Sequence, residues 1–291
     1  MAASWKIAGG TLDLCRPLGA GIVNVTTDSM FEGARSGTPE QAVEDGVGLA
    51  AAGFDMLDLG AVAARSGPPV PPADEAGRLI PAVEKLVVET GLPVSVDTFS
   101  AEVGRAALAA GAVAINDISG AADPALMDIA AETGCGLVLM HTEGPAREER
   151  PLPRYEDPVA HLLDWFGRRI AAAEAAGVDP EQIVLDPGLD FDLGVRDDLE
   201  ILRRLAELRG LGRPLYVSLS RKDFLGAVLA GSWDGRPAAE QREWATAAAT
   251  ALATAAGGSI LRLHDASALQ AMRIAAAIDP GSEAEVELAS G

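Results

Sequence analysis

Eight short runs of apolar, β-favouring residues recur along the chain: "GIVNVT", "DMLDLG", "PVSVDT", "AINDIS", "GLVLMH", "IVLDPG", "PLYVSLS" and "SILRLHD". Each is followed by a stretch able to form a helix, at 39–52, 74–89, 100–110, 124–133, 158–177, 197–209, 238–256 and 266–278. The runs are apolar along most of their length instead of alternating, which is the pattern of parallel strands covered on both faces. Eight such units in 291 residues, with no Gly/Pro-rich linker at a midpoint, predict a single (β/α)8 TIM-type barrel over 1–280 in place of an open doubly wound sheet. The last residues, 281–291, read as a disordered acidic tail. No GxGxxG follows the first run and no Walker A motif is present, so neither dinucleotide nor P-loop chemistry is indicated.

Charge and cysteine usage narrow the partners. With 23 Lys+Arg against 43 Asp+Glu, the formal charge of −20 leaves no basic face for a general nucleic-acid binder. Cys15 and Cys135 are far apart with no CxxC spacing, as in a reducing compartment, and a cytoplasmic protein is expected. The start "MAASWKIAGGTLDLC" lacks a basic region followed by an apolar core, and the Ala-rich runs are too short to span a membrane. Small molecules are the expected partners, and a homodimer is compatible with the sequence.

Polar residues gather at the ends of the eight runs, where a barrel of this kind builds its site. They are Asn24, Asp58, Asp97, Asn116, Asp117, His141, Asp186, Ser220, Arg221, Lys222, Arg262, His264 and Asp265. Single members have structural explanations: Asp97 can orient the turn into a helix opening near Ser100, and Asp186 precedes the turn residues Pro187 and Gly188. Their convergence asks for more, because charges at strand ends are costly unless paired or bound to something. Arg221, Lys222, Arg262 and His264 leave the seventh and eighth runs, the usual anion corner of such barrels, and suit a phosphate-type group. Asp97, Asn116 and Asp186 supply acceptors and an amide suited to a planar heterocycle with a row of N–H donors. No HxH or HxxxH spacing supports a histidine metal centre.

The motifs "NVTTDS", "SVDT", "INDISG", "MHTEG", "DPG", "SRKDF" and "RLHD" stand in that order at successive strand ends. As a set, covering about 21–278, they resemble the dihydropteroate synthase family, with its pterin-binding barrel. The resemblance implies transfer of a pterin-methylene group from 6-hydroxymethyl-dihydropterin pyrophosphate to an amine, p-aminobenzoate or a non-standard acceptor, with release of pyrophosphate, in folate biosynthesis. It implies that Asp97, Asn116, Asp186 and Lys222 hold the pterin, and that Asn24 binds Mg2+ with the pyrophosphate. Arg262 and His264 would hold the leaving anion, with Lys222, Arg262 and His264 acting in catalysis and Arg65, Ser220 and Phe191 facing the acceptor. Two alternatives are a pterin-binding paralogue without synthase activity and a folate-dependent methyltransferase barrel. The second has no evident need for the anion corner.

The acceptor side departs from the family pattern. Where the family reads close to GGESTRPG, this chain has "GAVAARSG", keeping Arg65 but placing Val62, Ala63, Ala64 and Ser66 at the Glu, Ser, Thr and Pro positions. A hydroxyl ligand and loop rigidity are lost together. Met30 replaces a usual Phe, and Glu143, Asp190, Asp192 and Asp223 add acid around the expected entrance. Since p-aminobenzoate is an anion, these carboxylates predict weaker binding of that acceptor and of sulfonamides that mimic it.

Overall fold

The computed structural model describes residues 4–25, 38–63, 67–148 and 151–278. Eight parallel strands follow one another around a barrel: β3 (Leu18–Asn24), β4 (Met56–Gly60), β5 (Val94–Asp97), β6 (Ala114–Asp117), β7 (Gly136–Met140), β8 (Ile183–Asp186), β9 (Tyr216–Ser218) and β10 (Ile260–Leu263). Sequence neighbours pair throughout, and β10 pairs with both β3 and β9. The ring closes between β8 and β9 through a parallel bridge from Leu185 to Leu215, with the Leu185 amide donating to the Pro214 carbonyl at 3.0 Å. The eight-unit barrel expected from the sequence is therefore the fold.

The sequence reading did not anticipate the N-terminal hairpin. β1 (Ser4–Ile7) and β2 (Gly10–Asp13) pair antiparallel, with Trp5 opposite Leu12. Trp5 is fully buried and packs in one cluster with Met56, Ala114, Val138, Val184, Tyr216 and Ile260, so the hairpin plugs the N-terminal mouth of the barrel. Its indole N–H donates to the Gln182 carbonyl at 2.8 Å, satisfying the ring's one polar atom. Gly136 is required beneath it, since a Cβ there would lie 2.5 Å from the Trp5 ring.

Nine helices cover the described barrel: α1 (Pro39–Ala51), α2 (Pro72–Thr90), α3 (Ala101–Ala109), α4 (Ala125–Thr133), α5 (Pro158–Ala175), α6 (Val195–Arg203), α7 (Asp223–Ala230), α8 (Glu243–Ala255) and α9 (Ala266–Ile278). Their starts are written in the sequence. Thr38, Ser100 and Asp157 each accept backbone N–H groups of the first turn, and α2 and α4 stop at Gly91 and Gly134 in left-handed conformation. The short α7 was missed because "DFLGAVLA" follows the Arg221-Lys222 pair directly and is only 8 residues long. The stretch at 197–209 is shorter as an α-helix than expected, passing into a 3-10 segment at Leu205–Leu211. Among the described residues no helix is long and apolar enough to cross a membrane. The expected tail, 281–291, lies outside the described residues.

Strand parity positions the site. Successive residues of a strand point to opposite faces, so Met56, Ala114, Val184, Tyr216 and Ile260, which line the lower lumen, share a face with the residues two further along their strands. Those residues are Asp58, Asn116, Asp186, Ser218 and Arg262. An apolar floor is thus overlain by a polar layer at the C-terminal mouth.

Candidate functional site

Arg262 organises the polar layer. Its Nε donates to Asp58 Oδ2 at 2.5 Å and its Nη2 to Asp97 Oδ2 at 2.9 Å, so one guanidinium from β10 ties together the ends of β4 and β5. Asp58 is fully buried and also accepts from Ser95 Oγ at 2.5 Å and from Asn116 Nδ2 at 3.2 Å. Burial pushes the Asp97 carboxyl up to about 7 against the pull of Arg262, with nearby Asp58 raising it further. The sequence reading sent Arg262 to the anion corner. It donates to carboxylates of two neighbouring strands, Asp58 of β4 and Asp97 of β5, in the floor of the barrel mouth.

Asp186 supplies the opposite wall. Its Oδ1 accepts the Gly188 amide at 2.8 Å and its Oδ2 accepts from Ser218 Oγ at 3.1 Å, so the turn role and a site role coexist. Burial raises its pKa, opposed by the Gly188 N–H and by the charge of Lys222. The turn needs glycine at 188: its φ is +69°, and a Cβ would meet the His141 carbonyl oxygen at 2.3 Å. Asp117, one residue past Asn116 and hence on the other face of β6, accepts the Ser119 and Ala121 amides and shapes the loop instead of the pocket.

The adjacent cations take separate tasks. Lys222 donates to the Leu189 carbonyl at 3.0 Å and stands 4.6 Å from the centroid of the Phe191 ring. Arg221, at a positive φ of 60°, turns the other way and forms a fork with Asp265, at 3.2 Å from Nε and 2.6 Å from Nη2. Ser220 Oγ lies 2.9 Å from His264 Nδ1 and accepts the His264 amide at 3.2 Å. Burial, followed by the charges of Arg221, Arg262 and Lys222, holds the His264 pKa well below its ordinary value, so the ring is neutral before any anion arrives.

Asn24 ends β3, half-buried and in register with Gly60 of β4. Met30 and Arg65 lie outside the described residues. Ser220 and Phe191, expected to face the acceptor, are in contact with His264 and Lys222 respectively.

The four extra carboxylates do not form an acidic mouth. Asp190 is buried, and its two oxygens accept the Asp223 and Phe224 amides at 2.5 and 3.0 Å, capping α7 from a different loop. Asp192 Oδ2 accepts from Thr142 Oγ1 at 3.0 Å and from the Glu143 amide at 2.9 Å. Asp223 pairs with Arg242 at 2.7 Å and with Arg236 at 3.4 Å. Glu143 meets His141 at 3.1 Å and His161 at 2.5 Å, contacts that with burial opposing hold its carboxyl down to about 2. Hydrogen bonds fix Asp190, Asp192 and Glu143 in place without cancelling their charge, whereas Asp223 is paired with two arginines. The Asp190→Ala variant should lose about 1 kcal/mol of stability in urea unfolding, the scale of a lost helix cap. An unchanged midpoint would show that α7 does not depend on it.

The model of the family described as pterin binding enzyme matches residues 20–264. The chain is similar to dihydropteroate synthase of Mycobacterium leprae, 40% identical over 249 residues, covering 84% of this chain and 87% of that protein. It is equally similar to a second M. leprae protein, named inactive dihydropteroate synthase 2, 40% identical over 256 residues and 86% of each chain. Among solved structures, Xanthomonas albilineans dihydropteroate synthase with 4-aminobenzoic acid superposes with a TM-score of 0.85 at 40% identity, covering 95% of this chain and 99% of that one.

Proposed function

Because the chain belongs to the dihydropteroate synthases of the pterin-binding enzyme family, we propose that it joins 6-hydroxymethyl-dihydropterin pyrophosphate to p-aminobenzoate, releasing pyrophosphate, in folate biosynthesis. The observation that carries this reading is the polar layer itself. Asp97, Asn116 and Asp186 stand on three strands of one lumen, with Lys222 at its rim, over a floor locked by Arg262. A pterin ring offers further N–H donors to buried carboxylates whose oxygens can each accept more than one hydrogen bond.

The chain's residues act by holding and orienting. Asp186 and Asn116 grip the ring edge, Asp97 takes a ring N–H while paired to Arg262, and Lys222 closes over the ring face toward Leu189 and Phe191. The neutral His264 is assigned to the departing pyrophosphate, and Arg262 adds positive charge below it. The amine of the acceptor displaces pyrophosphate at the pterin methylene: a C–N bond forms, the C–O bond breaks, and the amine proton leaves to solvent. Arg65, Ser220 and Phe191 are assigned to the acceptor side. Asn24 presents one hard carboxamide oxygen at the strand end, which fits a Mg2+ ion that takes few protein ligands and completes its shell with phosphate oxygens and water. Mg2+ supplies charge neutralisation on the leaving group when bound.

The cytoplasm is the proposed compartment, supported by the sparse cysteine usage: two cysteines 120 positions apart with no CxxC spacing. A homodimer is the proposed assembly, supported by exposed apolar side chains on one set of neighbouring helices: Val228, Leu229, Trp244, Leu252, Ile274 and Ile278.

The second reading, a pterin-binding paralogue without synthase activity, is favoured by one observation, the replacement of the acceptor loop pattern by Val62 and Ala63. Incubation with the pterin pyrophosphate, Mg2+ and a panel of aromatic amines separates the two, with products identified by mass spectrometry. Dihydropteroate is the expected product with p-aminobenzoate. Tight pterin binding with no coupled product from any amine would establish the paralogue instead.

A further inference from the structure

Two of the three histidines in this chain converge on one carboxylate outside the pterin pocket. His141 follows β7, Glu143 stands two residues on, and His161 comes from the first turns of α5. The ligand-type atoms of all three lie within 4.8 Å of one another, and Glu143 Oε1 is 3.1 Å from His141 Nε2 and 2.5 Å from His161 Nε2. Around a tetrahedral zinc ion with bonds of about 2.1 Å, neighbouring ligand atoms sit roughly 3.4 Å apart, so small side-chain shifts would admit an ion. We propose that His141, Glu143 and His161 form a site for a zinc-type divalent transition ion, separate from the Mg2+ position assigned to Asn24.

The donor set decides the class of ion. Two imidazoles and a carboxylate suit Zn2+, Co2+ or Ni2+, whereas Mg2+ prefers oxygen alone. The site is held in shape before any ion binds. His141 is fully buried against the Trp165 ring at 5.2 Å between centroids, and His161 packs on Tyr155 at 4.7 Å. The Tyr155 hydroxyl lies 3.3 Å from Glu143 Oε1 and 3.2 Å from the Asp192 carbonyl, while the Glu143 amide donates to the Asp192 carboxylate. Glu143 and His161 reach solvent, with 27% and 30% of their side chains exposed, which gives an ion a path of entry. Three protein ligands leave further coordination positions to water.

One feature limits the affinity. An ion on His141 Nε2 puts the ring proton on Nδ1, which is buried and meets no acceptor among the described residues. Ligating histidines usually donate that proton to a carboxylate or carbonyl, and losing such a partner costs about 10–100-fold in metal affinity. Binding should therefore be weaker by about that factor than in a fully supported site. Through Asp192, an ion here would also fix the loop that carries Phe191.

The test uses the full-length chain, freed of metal by dialysis against a chelator and titrated with Zn2+ in competition with a chromophoric chelator. One Zn2+ per chain is expected, undisturbed by excess Mg2+, with affinity lowered about tenfold or more in Glu143→Gln and in His161→Ala. Co2+ in place of Zn2+ should give the intense visible absorption of low-coordinate cobalt in the wild type and not in either variant. Far-ultraviolet circular dichroism confirms that the half-exposed His161→Ala variant is folded, and Glu143→Gln stands in for it otherwise. Equal Zn2+ uptake by the wild type and both variants, or none by the wild type, would overturn the proposal and leave the cluster as hydrogen bonding alone.

Discussion

Arg262→Ala should lose about 3–5 kcal/mol of folding stability and, with it, pterin binding, the largest effect expected of any single change in the site. The reason lies in what remains behind. The guanidinium bridges Asp58 and Asp97 across three strands of the barrel at 2.5 and 2.9 Å. Its removal leaves two carboxylates inside the lumen, one of them fully buried. Asp97 can escape by taking up a proton, since burial has already raised its pKa, which places the expected loss toward the lower end of the range at acidic pH. Arg262→Lys keeps the charge but not the fork that reaches both acceptors, so it should recover only part of the stability. Urea unfolding of the wild type and both variants measures this. A loss under about 1 kcal/mol for Arg262→Ala would mean that the ion pairs form only weakly and that the floor of the pocket is held by packing.

Asp186→Asn should weaken pterin binding by about 1.5–3 kcal/mol, the range for hydrogen bonds to a charged group, while making the unliganded protein more stable at neutral pH. The two effects share one cause. Asp186 is buried, and its pKa in the folded protein is raised above the ordinary carboxylate value of 3.8, chiefly by that burial. Between 3.8 and the raised value the folded state binds more protons than the unfolded state, so this group's contribution to stability falls as pH rises through that window. Asparagine mimics the protonated carboxyl: its oxygen can accept the Gly188 amide and its NH2 can donate to Ser218 Oγ. The stability difference between variant and wild type should then be small below pH 4 and grow in favour of the variant toward neutrality. Taking the difference removes the opposing contribution of His264, whose pKa is depressed by burial. Calorimetric pterin titration and thermal melts across pH read both effects. A variant less stable than the wild type at neutral pH, or one with unchanged pterin affinity, would show that Asp186 is a turn residue and nothing more.

The barrel was legible because each of its eight units repeats the same hydrophobic pattern, and repetition survives errors at individual boundaries. The hairpin was not. "SWKI" and "GTLD" are 4 residues each, and only the fit of Trp5 over Gly136 and under Gln182 makes them strands. The pterin-side residues were legible from strand ends, and parity explains why Asn116 enters the lumen while its neighbour Asp117 does not. What a residue does with its side chain was less accessible. Asp190 looked like acid at an entrance, yet it caps a helix 33 residues further on, a contact set by how two loops pass each other. His141 and His161 were invisible as a pair because their spacing of 20 residues matches no helical or strand period, and only the packing of α5 against the end of β7 brings them together.

The central question for this protein is whether its pterin pocket is coupled to amine transfer. Steady-state pyrophosphate release, measured with p-aminobenzoate at saturating pterin pyrophosphate and Mg2+, tests this most directly. Saturable release matched by dihydropteroate formation is predicted, lost in Lys222→Ala and inhibited by sulfonamides that compete with p-aminobenzoate. Tight pterin binding with release no faster than the uncatalysed background would contradict it, and would make this chain a pterin-binding protein that has kept the pocket and given up the reaction.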